Sequence, residues 1–271
     1  RAELRSIRDA GFRYLAFTDD HFAVSPRRIE EICRMMIEER FDFSWFAGIR
    51  SSSITASNVG LLKDSGCKVL CVGLESGDDR MLELMGKNAT VADNAKCLKL
   101  LSDNGIVAYG SFILGFPGET RQSIENTIHF INRSPLPLYK VYLFYLLKGS
   151  PVFDEQARHE ISFFGNEYDY CLWKTPSMDA LEASEALKEF ILKTEDAGLI
   201  YNHSPMYAFF PFFLKGYSAD DVVDFFKLKT RLIKNELSSA SRREKKRSRE
   251  QGLRDMETAM KCKGKGTTAP Q

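Results

Sequence analysis

Two short apolar stretches of this chain end abruptly in glycine and a carboxylate, and a sequence typical of a helix follows each of them. One stretch runs from Val72 to Asp78 and carries Glu75, and the other runs from Gly110 to Thr120. Breaks at the carboxyl ends of strands expose backbone amides and side chains, which is where α/β proteins bind ligands. The pattern predicts an α/β fold and indicates an enzyme.

The apolar pattern switches repeatedly between strand-like and helical runs over the first 150 residues or so, which indicates repeated strand–helix units. Five strands are predicted, at residues 13–18, 43–49, 69–74, 107–114 and 140–147. Helices are predicted at residues 1–10, 26–40, 56–63, 90–104 and 119–132. Strands this apolar, each returning through a helix, form a parallel sheet covered by helices. The sheet is either a TIM-type barrel, full or partial, or a doubly wound open sheet.

The division of the chain into parts follows from changes in composition. The first helix needs a strand before it, so residues 1–155 are expected to form a partial (βα)6 TIM-type barrel whose first strand is missing. Residues 156–237 are rich in aromatic and helical sequence and predict a C-terminal helical extension, with helices at 178–197 and 219–236. Residues 238–271 form a basic tail, which we expect to be disordered. From Arg231 to Gln271 there are twelve Lys or Arg against five Asp or Glu.

Composition narrows the class of protein. The chain is 44% hydrophobic and 28% charged, which is typical of a folded globular protein. No window holds the roughly 18 apolar residues of a membrane helix, and the start has no apolar stretch of a signal peptide. Six dispersed cysteines indicate reduced thiols, and Cys67 and Cys71 are interpreted as structural. We therefore expect a cytoplasmic protein, and the missing initiator Met suggests a fragment.

Polar residues follow every predicted strand, and the carboxyl ends of parallel strands meet at one rim. In strand order they are Thr18, Asp19, Asp20 and His21; Arg50 and Ser51; Glu75 and Ser76; Gly115, Pro117, Gly118 and Glu119; and Lys148, Gly149 and Ser150. Carboxylates bind ammonium groups and ribose hydroxyls, and arginine pairs with carboxylates. The rim therefore suits a zwitterionic or nucleoside-like ligand.

Each of these residues has a simpler structural interpretation. Asp19 and Asp20 can cap a helix, Arg50 can pair with an acidic neighbour, and residues 115–118 can form only a tight turn. His21 is best interpreted as a hydrogen-bonded loop residue. Glu75 is the exception, because a carboxylate that directly follows an apolar strand is costly to bury without a partner or a ligand.

Four segments in order resemble the radical S-adenosylmethionine (radical SAM) superfamily over residues 1–155. They are residues 17–22, 47–50, 73–77 together with 82–87, and 113–120, and residues 148–153 resemble the segment after the last barrel strand of that family. The resemblance is closest to the group in which a cobalamin-binding domain often precedes the barrel. The chain is also similar to methylthiotransferases and coproporphyrinogen-type oxidases.

The resemblance implies roles for the rim residues. Asp19 and Asp20 would contact the methionyl amine of SAM, Arg50 its carboxylate, and Glu75 and Ser76 the ribose hydroxyls. Ile113, Gly115, Pro117 and Gly118 would lie along the adenine. The C-x3-C-x2-C loop that holds the 4Fe-4S cluster in the family is absent from these residues, so no metal ligand is assigned and the loop is expected upstream.

The activity that the resemblance implies belongs to a complete protein. The cluster would reduce SAM to methionine and a 5′-deoxyadenosyl radical, which takes hydrogen from a small-molecule substrate, and cobalamin would extend this to methyl transfer or rearrangement. A flavodoxin or ferredoxin would supply the electron. The alternatives are a non-catalytic barrel that binds a ligand or partner, a tRNA-modifying methylthiotransferase-like enzyme, and an unrelated TIM-barrel lyase or isomerase.

The basic tail could bind RNA through its phosphates. A solvated tail is favoured, because the basic run contains no aromatic residues that could stack on bases.

Overall fold

The structure is a computed structural model that describes residues 1–164, 172–201, 205–238 and 241–263. Its centre is a parallel sheet of six strands in the order β1-β2-β3-β4-β5-β8. The first five strands are β1 (Tyr14–Phe17), β2 (Ser44–Arg50), β3 (Cys67–Glu75), β4 (Val107–Leu114) and β5 (Leu138–Leu143). All five predicted strands are present, and the fifth begins and ends earlier than the sequence pattern indicates. Consecutive strands pair in parallel register, so their carboxyl ends share one edge.

Helices connect the strands and cover the outer face of the sheet. They are α1 (Ala2–Asp9), α2 (Pro26–Glu38), α3 (Val59–Asp64), α4 (Asp79–Leu84), α5 (Val91–Asp103) and α6 (Arg121–Arg133). Local sequence fixes where several of them begin. The Ser25 side chain accepts from the backbone of Arg28 and Pro26 follows it, while Thr90 and Thr120 each form a capping box.

The C-terminal extension adds helices and three short strands. After α7 (Pro151–Asp154), strands β6 (Ser162–Phe163) and β7 (Trp173–Lys174) form an antiparallel pair. Helix α8 (Ala180–Lys193) precedes β8 (Gly198–Leu199), which is followed by α9 (Pro205–Phe213) and α10 (Ala219–Leu237). Strand β8 pairs with β5 in parallel, so a segment from the extension supplies the sixth strand of the main sheet. This strand is absent from the sequence prediction because two residues carry no periodic signal.

Alternate residues of each strand face two different cores. The outer core lies under the connecting helices and includes Leu70, Leu74 and Phe112. The inner core lies at the amino-terminal ends of the strands. There Val69, Val107 and Leu138 pack against α9 and α10, through residues such as Phe209 and Phe226. The aromatic segment 206–214 was expected to pack on the barrel, and Phe209 and Phe213 of that segment are buried there. In the part of the chain that the structure describes, no helix is long and apolar enough to cross a membrane.

The basic tail differs from the sequence prediction. Residues 242–263 form a helix, α11 (Arg242–Lys263), where disorder was expected from residue 238. Ser241 and Glu244 cap each other at its start. Gly252 lets the helix approach α10, since a Cβ there would lie 2.4 Å from Leu232 Cδ2. A tertiary contact therefore orders a sequence whose composition alone favours disorder.

Candidate functional site

The loop after β1 folds back across the second strand. Phe22 N–H donates to the Gly48 carbonyl at 2.8 Å, and a Cβ on Gly48 would lie 3.6 Å from the Asp20 carbonyl oxygen. The Asp19 and Asp20 side chains are exposed at the rim. The backbone of Asp19 and Asp20 therefore lies within van der Waals reach of β2, next to the end of the neighbouring strand.

Glu75 ends β3 in an unusual conformation. Its φ is +62°, in the left-handed region that residues other than glycine rarely adopt, and the ladder to β4 is irregular between Gly73 and Glu75. The carboxylate Oε1 is 2.8 Å from Lys87 Nζ, with 16% of the Glu75 side chain and 27% of the Lys87 side chain exposed. Lys87 Nζ also donates to the Gly73 carbonyl at 3.5 Å. The sheltered Glu75 carboxylate thus has the partner that its sequence position required.

Gly73 makes room for this ion pair. A Cβ at that position would lie 2.8 Å from Glu75 Oε1 and 3.3 Å from Lys87 Nζ. A contact of 2.8 Å is shorter than real Cβ atoms show, so any other residue would push the carboxylate away.

Arg50 and Lys87 line one small pocket beside the ion pair. Its volume is 160 Å³, and its lining includes Ser51, Ser52 and Gly73. His21 lies close by, with Nε2 3.0 Å from the Ser53 hydroxyl. Burial lowers the pKa of His21, and the charges of Arg50 and Lys87 lower it further. The imidazole is therefore neutral near pH 7, and two cations favour an anionic group at this end of the rim.

Ser76 is directed into the protein rather than toward the rim. Its side chain is buried, and its hydroxyl lies 3.2 Å from the Thr127 hydroxyl of α6. The next residue, Gly77, donates its N–H to the same Thr127 oxygen at 2.9 Å. In this arrangement Ser76 joins the turn to α6, and its role in binding ribose stays a prediction.

A buried carboxyl holds the turn that follows β4. Gly115 and Gly118 both have φ of +89°, which favours glycine. Glu119 accepts from Gly115 N–H at 3.1 Å and from the Ser123 hydroxyl at 2.6 Å, and only 3% of it is exposed. Burial raises the pKa of Glu119 to about 7. Pro117 is buried in the same turn, and Ile113 is half-buried at the end of β4.

The extension packs against the back of this turn. A Cβ on Gly115 would lie 2.7 Å from the Trp173 ring, whose Nε1–H donates to the Phe144 carbonyl at 2.8 Å. Gly115 is therefore needed for packing as well as for its backbone angle. Its contact with adenine, like those of Ile113, Pro117 and Gly118, stays a prediction.

Two interactions of the site were absent from the sequence analysis. The sequence indicated Lys87 only as part of the segment 82–87. Nothing in a single sequence shows that this residue, twelve positions after Glu75, contacts the Glu75 carboxylate. Glu119 was placed on the rim, but its burial was not foreseen. A carboxylate that directly follows a Gly-x-Pro-Gly turn is the signal that could have indicated a bond to the turn's own backbone.

The side chains of the described residues do not fit an iron–sulfur cluster. Within them, no group of three or more His, Cys, Asp or Glu residues could hold a metal ion. Cys33, Cys67, Cys71 and Cys97 are free thiols, and burial raises the pKa of each. A cluster needs thiolates, so these cysteines are unsuited to bind one. Cys171 and the Cys262 side chain lie outside the described residues.

Comparison with known proteins gives consistent results. The model of the radical SAM superfamily matches residues 1–131. An uncharacterized methyltransferase of Pyrococcus horikoshii is 34% identical over 123 residues, which are 45% of this chain and 27% of that protein. The anaerobic magnesium-protoporphyrin IX monomethyl ester cyclase of Rubrivivax gelatinosus is 28% identical over 121 residues, or 44% of this chain and 21% of the cyclase.

A third relative matches a longer segment. The bacteriochlorophyllide d C-12(1)-methyltransferase of Chlorobaculum tepidum is 27% identical over 158 residues, or 57% of this chain and 34% of the enzyme. This chain therefore spans roughly a fifth to a third of the length of these relatives.

Solved structures share the fold. The radical SAM methyltransferase TsrM of Kitasatospora setae, with cobalamin and a [4Fe-4S] cluster bound, has a TM-score of 0.54 at 20% identity, covering 58% of this chain and 32% of TsrM. The cobalamin-dependent radical SAM enzyme OxsB, with aqua-cobalamin bound, has a TM-score of 0.51 at 16% identity, covering 94% of this chain and 45% of OxsB. The family match extends from α1 into α6 and contains both Glu75 and the Gly115–Gly118 turn. Residues 1–131, which include most of the rim, are therefore similar to the radical SAM superfamily.

Proposed function

We propose that the rim binds SAM and that the protein of which these residues are the barrel is a radical SAM enzyme. The observation that carries the proposal is the group formed by Glu75, Lys87 and Arg50 at the carboxyl edge of the sheet. A zwitterionic nucleoside needs a carboxylate for its hydroxyls or amine and a cation for its own carboxylate. Both kinds of group occur here within one small region.

The roles of individual residues extend this proposal. Asp19 and Asp20, exposed beside Gly48, would bind the methionyl amine, and Arg50 would bind the carboxylate of SAM. Glu75 and Ser76 would bind the ribose, and Ile113, Gly115, Pro117 and Gly118 would lie along the adenine. Lys87 adds a second cation beside Arg50 that can pair with the SAM carboxylate when Glu75 turns to the ribose.

The proposal includes the cofactors that the family uses, but it assigns no residue of this chain as a ligand of them. When bound, a 4Fe-4S cluster supplies the electron that cleaves SAM, and cobalamin carries a methyl group. The names of the methyltransferase relatives and of TsrM support methyl transfer, and the cobalamin bound to TsrM and OxsB supports cobalamin as a cofactor. The cyclase relatives support a ring-forming reaction as the alternative. The barrel's part is to hold SAM and a small-molecule substrate in fixed geometry and to exclude water.

The partners and the compartment belong to the same proposal. A flavodoxin- or ferredoxin-type protein is proposed as electron donor, because SAM cleavage needs one electron from outside. The free thiols of the described cysteines support the reducing cytoplasm as the compartment. RNA is a secondary candidate partner, supported by Arg243, Lys246 and Arg247 of α11, which are exposed and form no ion pair among the described residues.

The test needs the complete coding sequence, expressed and purified without oxygen. We expect bound iron and sulfide and release of 5′-deoxyadenosine from SAM. Glu75→Gln and Arg50→Gln should each lower that release at subsaturating SAM by about tenfold or more, which is the effect of losing a charge-assisted hydrogen bond. Lys99→Gln, which breaks an exposed pair with Asp103 on α5, is the matched control and should change nothing. A complete protein with cluster that never cleaves SAM would contradict the proposal.

A further inference from the structure

We propose that Thr127 of α6 is a positioning residue for the nucleoside part of SAM. Its hydroxyl holds the turn that ends β3, residues 75–78, which we call the ribose turn. Through α6 it also fixes the spacing between this turn and residues 115–118, which we call the adenine turn. The inference rests on the proposed function, because both turns are proposed to bind SAM. Thr127 itself is buried in α6 and would not touch the ligand.

The hydroxyl of Thr127 makes three hydrogen bonds, and two of them reach the ribose turn. It donates its proton to the Ser123 carbonyl, one helical turn earlier, at 3.0 Å. Its oxygen accepts from Gly77 N–H at 2.9 Å and lies 3.2 Å from the Ser76 hydroxyl oxygen. Since Thr127 has only one proton, Ser76 is the donor in that pair, and the Ser76 oxygen accepts from Asp78 N–H at 3.2 Å. Both hydroxyl groups are therefore used to hold the turn.

The ribose turn lies as close to α6 as a glycine allows. A Cβ on Gly77 would lie 2.6 Å from Phe130 Cβ and 2.7 Å from Thr127 Cα. Ser76 and Thr127 are 2% and 5% exposed, so water cannot replace the Thr127 hydroxyl unless the turn moves. Glu75, the residue before Ser76, has a φ of +62° and carries its carboxylate at the rim. The bonds to Thr127 therefore set where this carboxylate lies.

A neighbouring residue of α6 holds the other end of the ribose turn. Asn126 Nδ2 donates to Asp78 Oδ2 at 2.7 Å. The second oxygen of Asp78, Oδ1, accepts from Met81 N–H at 3.0 Å and caps α4. Asn126 and Thr127 thus bind consecutive residues of the turn, which fixes its orientation as well as its position.

The first residues of α6 hold the adenine turn in the same way. Glu119, just before the helix, accepts from Gly115 N–H at 3.1 Å and from the Ser123 hydroxyl at 2.6 Å. Ser123 is also the residue whose carbonyl accepts from Thr127. A path of buried contacts therefore runs from Gly115 through α6 to Gly77. A nucleoside bound to both turns depends on the distance between them, because small misplacements of binding groups are costly.

The test compares two nucleosides that differ only in the ribose hydroxyls, adenosine and 2′,3′-dideoxyadenosine. Their binding to the complete protein, purified without oxygen, is measured by isothermal titration calorimetry. We expect the unchanged protein to prefer adenosine by about tenfold or more, which is the effect of charge-assisted hydrogen bonds to the hydroxyls. Thr127→Val keeps the side-chain shape and removes the hydroxyl, so it should reduce this preference to within about twofold. Thr127→Ser keeps the hydroxyl and should retain the full preference.

Thr230→Val is the matched control, because Thr230 makes the same kind of contacts elsewhere in the molecule. It is 2% exposed on α10, accepts from Leu199 N–H at 2.6 Å and donates to the Phe226 carbonyl at 2.6 Å. Its replacement should lower stability in urea unfolding, as Thr127→Val does, but should leave the preference for adenosine unchanged. Asn126→Ala leaves the Thr127 hydroxyl in place and should lower the preference by about threefold. This variant decides the question if Thr127→Val does not fold.

Three results would overturn the inference. Equal affinity of the unchanged protein for the two nucleosides would show that the ribose turn does not recognise ribose hydroxyls. A folded Thr127→Val protein with the full preference would show that the hydroxyl contributes only stability. An equal loss of preference in Thr230→Val would attribute the effect to general destabilisation. Release of 5′-deoxyadenosine from SAM by the unchanged protein is measured separately, so the proposed function can stand when this inference fails, whereas a complete protein that binds neither SAM nor adenosine would contradict both.

Discussion

Glu75 and Lys87 form an ion pair of 2.8 Å across the end of β3, and it holds a glutamate in a left-handed backbone conformation. The pair lies at the edge where SAM is proposed to bind. A residue in this conformation stores roughly 1 to 3 kcal/mol of strain, so the surrounding contacts must maintain it. Lys87 and the turn bonds of Ser76 and Gly77 are those contacts.

Replacing Lys87 tests this relationship. Lys87→Met should lower the free energy of unfolding by about 1 to 3 kcal/mol, since it leaves a sheltered carboxylate without its partner. Urea unfolding at pH 7 measures the change. In a Glu75→Gln background, where no carboxylate is left unpaired, Lys87→Met should cost much less. An equal loss in both backgrounds would show that the lysine stem, and not its charge, supplies the stability.

A side chain at position 73 should displace the Glu75 carboxylate. Gly73→Ala places a Cβ 2.8 Å from Glu75 Oε1, which ends a flexible side chain and can shift, so the fold should lose only about 1 kcal/mol. The control is Gly60→Ala in α3, where no atom lies within 4 Å of the added Cβ. That change should be neutral or stabilise by up to about 1 kcal/mol. Similar effects at both positions would argue against a specific steric constraint at Gly73.

Glu119 should make stability depend on pH. Its pKa is raised to about 7 in the folded protein, so the folded state holds this proton more tightly than the unfolded state does. Its contribution is therefore greatest below its ordinary pKa of 4.5 and is lost as the pH rises toward 7. The loss is on the order of 3 kcal/mol. Denaturation of the unchanged chain and of Glu119→Gln across pH 4 to 8 measures it. A constant difference between the two proteins would contradict the prediction.

The packing of α11 on α10 should depend on one glycine. Gly252→Val adds side-chain atoms where a Cβ already lies 2.4 Å from Leu232, so α11 should separate from α10. Limited proteolysis should then cut between residues 238 and 263 much faster, while the rest of the chain stays resistant. Gln251→Val, one residue earlier at an exposed position, is the control. Equal cleavage of both variants would indicate that the helix is not held by this contact.

Tyr109 should lose little when its hydroxyl is removed. Tyr109→Phe deletes a buried hydroxyl that has no bond of normal geometry, so the free energy of unfolding should change by less than about 1 kcal/mol or rise. A drop of several kcal/mol would show that the hydroxyl is paired in solution.

Local sequence patterns were enough to predict the strand–helix order and the rim. Apolar strands that end in Glu75 and in the Gly115–Gly118 turn specify a parallel sheet and its ligand edge, because strand periodicity and turn residues are local properties. The resemblance to the radical SAM superfamily followed from those same short segments, and the family match confirms it.

The partners of these residues became visible only in the folded chain. That Lys87 pairs with Glu75, that β8 joins β5, and that α11 packs on α10 are contacts between distant segments. No local pattern encodes them, since each depends on how the whole sheet brings the elements together. The exposure of Tyr142, Tyr145 and Leu147 is decided in the same way, because an apolar residue in a sequence gives no sign of whether the fold will cover it.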